Sequence, residues 1–347
     1  MKLYLENGMV VEGKSFGADM PVAGEVVFNT GMMGYVETLS DPSYTGQIVV
    51  LTYPMVGNYG VPDKKRFESE KIHAAGLIVS EYCDEYSHYE AKESLAEWLK
   101  RSGVPAMTGV DTRAITKVLR EKGVMLGQLT PGKKGKFVDP NKQNLVAKVS
   151  PTKKKEYGEG PLKIVLVDCG AKENIVRSIM TDDTTVIRVP WDYDFTNETY
   201  DGIVLSNGPG DPTAVKETVE NVKKALKGNK PILGICLGTQ VMALAAGAKT
   251  YKLKYGHRAQ NQPCVIENRC YITSQNHGYS VDAKSLPKDW KVWFTNANDE
   301  SVEGIMHAKK PFYSVQFHPE ACPGPTDTHW IFEQFLTDVK KAKKKKV

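Results

Sequence analysis

The chain has no close pairing among its six cysteines, which stand singly at 83, 169, 236, 264, 270 and 322. Such spacing argues against the disulfide framework of a small secreted domain and for a reducing compartment. No apolar run approaches the length of a membrane helix, and Met1-Lys2-Leu3-Tyr4-Leu5-Glu6 lacks the form of a signal peptide. A cytoplasmic protein without membrane contact is therefore expected. Neither Gly-x-x-x-x-Gly-Lys-Ser/Thr nor Gly-x-Gly-x-x-Gly occurs, which argues against a nucleotide site in this chain. An excess of one charge is missing too, once the C-terminus is set aside. The formal net charge is +5, but Lys340 to Val347 alone holds six lysines, so the remainder is close to neutral. No interleaved aromatics or reading helix accompany that run, so nucleic-acid binding is not expected. Residues 339–347 read as a basic, disordered tail.

What is present fits two domains. A length of 347 residues with 41% hydrophobic content lets either half bury a sizeable core. Residues 1–149 show short strand patterns such as Gln47 to Thr52, with helical stretches near Ser94 to Lys100 and Ile115 to Glu121. The polar, proline-flanked run 150–160 reads as a linker. In 161–338, Lys163 to Asp168, Ile203 to Leu205 and Ile232 to Ile235 are short continuous apolar strands of the kind buried on both faces of a parallel sheet. Helical segments alternate with them. The expected fold is α/β throughout: a mixed α/β N-terminal domain, then a doubly wound, mostly parallel sheet with its site at the carboxyl ends of the strands.

The most informative stretch is Pro231-Ile232-Leu233-Gly234-Ile235-Cys236-Leu237-Gly238-Thr239-Gln240. An apolar strand runs into Gly-x-Cys-x-Gly and then into a helical pattern, the form of a nucleophile elbow with cysteine as nucleophile. Gly234 and Gly238 leave room for the sharp turn. Cys236 would sit at a helix N-terminus, where the dipole favours a thiolate and free N–H groups can receive an oxyanion. A thiol nucleophile needs a histidine to move its proton and a carboxylate to orient that histidine. Phe312 to Glu320 supplies both: His318 and Glu320 lie two apart at the expected end of a strand, leaving the same face. The loop Asn207-Gly208-Pro209-Gly210 follows a buried strand, and its two glycines let backbone N–H groups approach a substrate. His257, Cys264, Cys270 and His277 lack the close pairs of a structural zinc site, so no metal is expected.

Gly234 to Gln240 with His318-Pro-Glu320 resembles the class I, triad-type glutamine amidotransferases. Ser206 to Pro212 is similar to that family's oxyanion-strand signature. Within the family, Gln275-Asn276-His277-Gly278-Tyr279 resembles the glutamine-holding segment of the carbamoyl-phosphate synthetase small subunits. Phe28 to Tyr35, Asp41 to Tyr44, Leu51 to Pro54, Asp111 to Thr116 and Gly170 to Ile175 also look like that branch.

The resemblance implies that Cys236, His318 and Glu320 form a catalytic triad, with oxyanion N–H groups from Gly208 and Leu237. It implies glutamine contacts from Gly208, Gly210, Leu237, Gln240, Asn276, Gly278 and Tyr279, and from Ser43 of the first domain. The implied partner is a large synthetase subunit in a hetero-oligomer. That subunit would hold ATP and magnesium and make carbamoyl phosphate from bicarbonate, while this chain carries no cofactor. Two features depart from the pattern, Thr239 where many relatives carry histidine and the loop Ala259 to Pro263. The sequence leaves open a stand-alone cysteine hydrolase, a catalytically silent regulatory or scaffold subunit, and the glutaminase subunit of another amidotransferase.

Overall fold

The computed structural model describes residues 1–321 and 324–344. The chain divides into two compact units, Met1–Leu145 and Val146–Val347.

In the first unit the strands are β1 (Lys2–Leu5), β2 (Val10–Glu12), β3 (Lys14–Ser15), β4 (Val22–Asn29), β5 (Gln47–Leu51), β6 (Met55–Val56), β7 (Gly76–Ile78), β8 (Glu81–Tyr82), β9 (Ala106–Thr108) and β10 (Met125–Thr130). Eight of them form one sheet in the order β2-β1-β10-β4-β5-β7-β9-β3, and β6 pairs with β8 as a separate ribbon. The centre, β4-β5-β7-β9, is parallel. Three helices accompany the sheet: α1 (Tyr35–Ser40), α2 (Leu95–Arg101) and α3 (Thr112–Lys122). The second begins at Ser94, whose hydroxyl accepts from the Glu97 N–H while Glu97 reaches back to the Ser94 N–H, a reciprocal cap. The third starts where Asp111 accepts from the Ala114 N–H.

The second unit holds a ten-stranded sheet. Its strands are β11 (Lys155–Tyr157), β12 (Leu162–Asp168), β13 (Thr184–Pro190), β14 (Gly202–Leu205), β15 (Ile232–Ile235), β16 (Thr250–Ile266), β17 (Arg269–Val281), β18 (Trp290–Asn296), β19 (Val302–His307) and β20 (Phe312–Val315). The spatial order is β11-β13-β12-β14-β15-β20-β19-β18-β16-β17. The segment from β13 to β20 is parallel, as expected of strands that are apolar on both faces. Beyond β20 the sheet continues as an antiparallel wing. Four helices pack with it: α4 (Glu173–Ile179), α5 (Lys216–Ala225), α6 (Leu237–Ala246) and α7 (Trp330–Lys344). Almost every residue of α6 is buried, which suits its all-round apolar sequence. No helix among the described residues is long and apolar enough to cross a membrane.

Three expectations need correction. The run 150–160 is not merely a linker, because its residues 155–157 pair antiparallel with β13 as an edge strand. The unit boundary falls at Leu145/Val146 rather than after 149, since Val146 is buried in a core cluster of the second unit. Residues 339–344 are not a disordered tail. They continue α7, with Val339 fully buried, while 345–347 lie outside the described residues.

Candidate active site

The site is assembled at the carboxyl ends of β14, β15 and β20. Cys236 joins β15 to α6 with φ 54° and ψ −105°, a conformation that L-residues rarely adopt. The surroundings enforce it. A Cβ on Gly234 would come 2.7 Å from the Gly238 carbonyl oxygen, and one on Gly238 would come 2.3 Å from that of Leu205. The Cys236 N–H donates to the Val315 carbonyl at 2.8 Å, which ties the elbow to the neighbouring strand. Its thiol donates to the Asn276 carbonyl, with sulfur and oxygen 3.6 Å apart.

His318 and Glu320 come together by a turn, not by strand alternation. β20 ends at Val315. His318 then makes an isolated bridge to Ser274, and the Ala321 N–H closes a turn on the His318 carbonyl. Pro319 lies within that turn and has no N–H of its own to donate. The result is a 2.6 Å contact from His318 Nδ1 to Glu320 Oε1. Because Nδ1 donates there, Nε2 is left for the thiol, and among the described residues it has no hydrogen-bond partner. Burial pushes the His318 ring down, but the Glu320 carboxylate and then the Cys236 sulfur outweigh it and raise its pKa. Glu320 is fully buried. Burial pushes its carboxyl up, yet Lys172 and His318 together hold it well below the usual carboxylate range.

Lys172 is a residue that sequence reasoning gave no role. Its Nζ lies 3.2 Å from Glu320 Oε1, and both side chains are buried. The backbone around it is fixed by Asn207, whose Oδ1 accepts from the Lys172 N–H at 3.0 Å. Asn174 donates its side-chain amide to the Glu320 carbonyl oxygen. The run Gly170 to Ile175 was visible as a motif, but nothing in the order of residues ties it to position 320.

The expected oxyanion loop follows β14. Gly208 has no room for a side chain: a Cβ would sit 2.2 Å from the Cys169 carbonyl oxygen and 2.8 Å from Leu237 Cδ2. Gly210 has φ +85°. Leu237 is the first residue of α6, a position whose N–H has no intrahelical acceptor. Gln240 is buried and structurally engaged, donating through Nε2 to the Tyr279 carbonyl at 3.0 Å and to Gln316 Oε1 at 3.1 Å. Asn276, Gly278 and Tyr279 lie on β17 beside the elbow, their segment held by the His318 N–H on the Ser274 carbonyl at 2.9 Å. Ser43 belongs to the first unit, in a short 3-10 turn capped by Asp41, which accepts from its N–H at 2.8 Å.

The residues weighed for zinc do not gather as a set. His257 and His277 instead meet Glu303, with ligand atoms all within 4.8 Å of one another. Those atoms are engaged with each other and with Asp299, Gln275 and Asn296. Cys264 bonds to Thr273 and Gln275, Cys270 is exposed, and Cys322 lies outside the described residues. Glu303 itself carried no sequence signal.

Two family models match the chain: carbamoyl-phosphate synthase small chain, CPSase domain, over residues 3–129, and glutamine amidotransferase class-I over 165–337. Among curated proteins, the chain is 51% identical to Multifunctional protein CAD of Squalus acanthias, over 96% of this chain and 16% of that protein. It is 48% identical to Multifunctional protein URA2 of Saccharomyces cerevisiae, over 98% of this chain and 18% of that one. It is also 48% identical to the mitochondrial carbamoyl-phosphate synthase [ammonia] of Aquarana catesbeiana, over 98% of this chain and 24% of that one. The chain thus spans less than a quarter of the length of each of these relatives.

Proposed function

The chain belongs to the carbamoyl-phosphate synthase small-chain family with a class-I glutamine amidotransferase domain, and from that premise we propose that it hydrolyses glutamine and passes the ammonia to a synthetase partner. The observation that carries the reading is Cys236 on its strained elbow, beside a histidine already oriented by a buried carboxylate.

The chemistry follows from these groups. The Cys236 sulfur attacks the side-chain amide carbon of glutamine, and its proton goes to His318 Nε2. The carbonyl oxygen becomes an oxyanion, and the Gly208 and Leu237 N–H groups receive it in this reading. The C–N bond then breaks, and His318 returns a proton to the leaving ammonia. A water molecule, deprotonated by the same histidine, attacks the γ-glutamyl thioester and releases glutamate and the free thiol. Glu320 keeps the imidazole in the needed tautomer and favours the imidazolium. Lys172 neutralises the same carboxylate and so limits how basic His318 becomes.

Ammonia made here needs an acceptor. The partner assigned is a large synthetase subunit or region that binds ATP and magnesium, takes bicarbonate and makes carbamoyl phosphate, in a cytoplasmic hetero-oligomer. The holoenzyme is then a glutamine-hydrolysing ligase whose product serves pyrimidine and arginine synthesis. No cofactor is assigned to this chain. The test is glutamine hydrolysis by the wild type and Cys236→Ser, with and without the synthetase, ATP and bicarbonate. Cysteine-dependent hydrolysis that the partner stimulates, with carbamoyl phosphate formed, is the expected result. Hydrolysis indifferent to the partner would overturn the carbamoyl-phosphate assignment, and hydrolysis surviving in Cys236→Ser would overturn the triad.

A further inference from the structure

Glu303 on β19 is fully buried and carries no part of the proposed chemistry. Its carboxylate joins two strands. Oε1 lies 3.2 Å from His257 Nδ1 on β16 and 3.5 Å from His277 Nε2 on β17. The outer nitrogen of His257 is anchored in turn on Asp299, at 2.9 Å. His277 Nδ1 faces the Tyr279 carbonyl oxygen at 2.9 Å, an atom that can only accept, so the ring donates there. The same carbonyl takes Gln240 Nε2, and Gln240 also bonds Gln316. The Gln316 N–H returns to the Glu303 carbonyl at 2.8 Å. Polar contacts therefore run from His277 through Tyr279, Gln240 and Gln316 to the Glu303 backbone. The Glu303 carboxylate closes the path by its 3.5 Å approach to His277 Nε2, a nitrogen that also lies 3.2 Å from Gln275 Oε1.

Strand alternation decides what this ring can reach. His277 and Asn276 are adjacent on β17, so their side chains leave opposite faces. The ring grips the His277 face of the segment, the Asn276 side chain leaves by the other, and the Asn276 backbone carbonyl between them receives the Cys236 thiol. We propose that Glu303 is a positioning residue for glutamine: through His277 it sets the height and tilt of the Asn276–Tyr279 segment against Cys236. Its carboxylate touches no reacting atom. The inference rests on the glutaminase reading and assigns the placement of substrate, rather than bond breaking, to a buried carboxylate outside the triad.

A residue of this kind affects the fit of substrate more than the turnover of bound substrate. In Glu303→Ala, KM for glutamine is expected to rise about tenfold or more while kcat changes less than about threefold. Glu303→Gln keeps the volume and one acceptor oxygen, so it should fold where alanine does not and give an intermediate KM. Combined with His277→Ala, Glu303→Ala should add little to the worse single change, because both break one contact path. A second readout separates positioning from loosening of the fold. Cys236 alkylation by a diazoketone analogue of glutamine should slow in the Glu303 variants, while alkylation by iodoacetamide should not. Equal slowing of both reagents, or an unchanged KM in Glu303→Ala when the wild type does hydrolyse glutamine, would overturn the proposal alone. A wild type that neither hydrolyses glutamine nor reacts with the analogue would overturn the glutaminase reading itself.

Discussion

Lys172 Nζ lies 3.2 Å from Glu320 Oε1, the same oxygen that receives His318 Nδ1 at 2.6 Å. One buried carboxylate oxygen thus serves two basic groups that are 146 positions apart in the chain (318 − 172). The arrangement tempers the triad, since Lys172 pulls the His318 pKa down while Glu320 pulls it up. Replacing Lys172 by Met removes the opposing charge and leaves His318 more basic. The basic limb of kcat/KM for glutamine, where the imidazolium loses its proton, should move to higher pH. A pH–rate profile of Lys172→Met checks this, and a shift to lower pH would sink the assignment.

The elbow makes an unusual prediction about stability. In most buried positions Ala is at least as stable as Gly, because Gly loses more backbone freedom on folding. At position 236 the backbone holds φ 54° and ψ −105°, which any Cβ resists. Cys236→Gly should therefore be more stable than Cys236→Ala by about 1–3 kcal/mol, the strain that the elbow stores. Both variants should be inactive on glutamine. Urea unfolding of the pair is the measurement, and alanine proving the more stable would show that the elbow is unstrained.

Part of this site was legible in the sequence because local sterics dictate it. Gly234, Cys236 and Gly238 announce a strand–turn–helix that only small residues allow, and three apolar runs announce a parallel sheet. What stayed hidden depends on distance along the chain or on context. Lys172 and Glu303 reach their partners only through the sheet order, which no local pattern encodes. Residues 155–157 look like linker because an edge strand needs a partner more than it needs apolar side chains. The lysines after Val339 concealed a helix whose buried face continues through that valine. The antiparallel wing beyond β20 was missed because its long strands carry mixed, half-exposed sequence.

Gly208 can be tested by a single methyl group. With the Cys169 carbonyl oxygen 2.2 Å from the ideal Cβ position, the loop in Gly208→Ala must move away from the elbow. If its N–H supports the oxyanion, kcat should fall about 100- to 1000-fold. A crystal structure of the variant would show whether the loop has shifted. A variant with full turnover would remove Gly208 from the oxyanion site.

The C-terminal helix separates charge from packing. Val339 is fully buried in the core cluster that includes Phe335 and Ile331, so Val339→Ala should cost about 2 kcal/mol through lost contact and the cavity left behind. Lys340 pairs with Asp183 at 2.7 Å, but both side chains are at least half exposed. Lys340→Ala should leave the melting temperature essentially unchanged, as expected of a solvated pair. A large loss in the lysine variant with none in the valine variant would reverse this assignment of roles.

Acid should unfold the second unit through its buried carboxylates. Burial alone would raise the Glu320 and Glu303 pKa values, yet their cationic or hydrogen-bonding neighbours more than compensate, and both lie below the ordinary carboxylate value. A group whose pKa is depressed on folding contributes stability above its unfolded pKa, which is about 4.3 for Glu, and loses it as pH falls through the folded value. Stability to urea should therefore hold near neutrality and decline steeply once the pH drops below about 4. In Glu303→Gln one such group is gone, so the variant should start less stable at neutral pH and decline less steeply in acid. Unfolding midpoints for wild type and variant across that range decide the matter. Parallel curves would mean that Glu303 takes up its proton as readily in the folded chain as in the unfolded one, and that the His257 and His277 contacts do not hold it ionised.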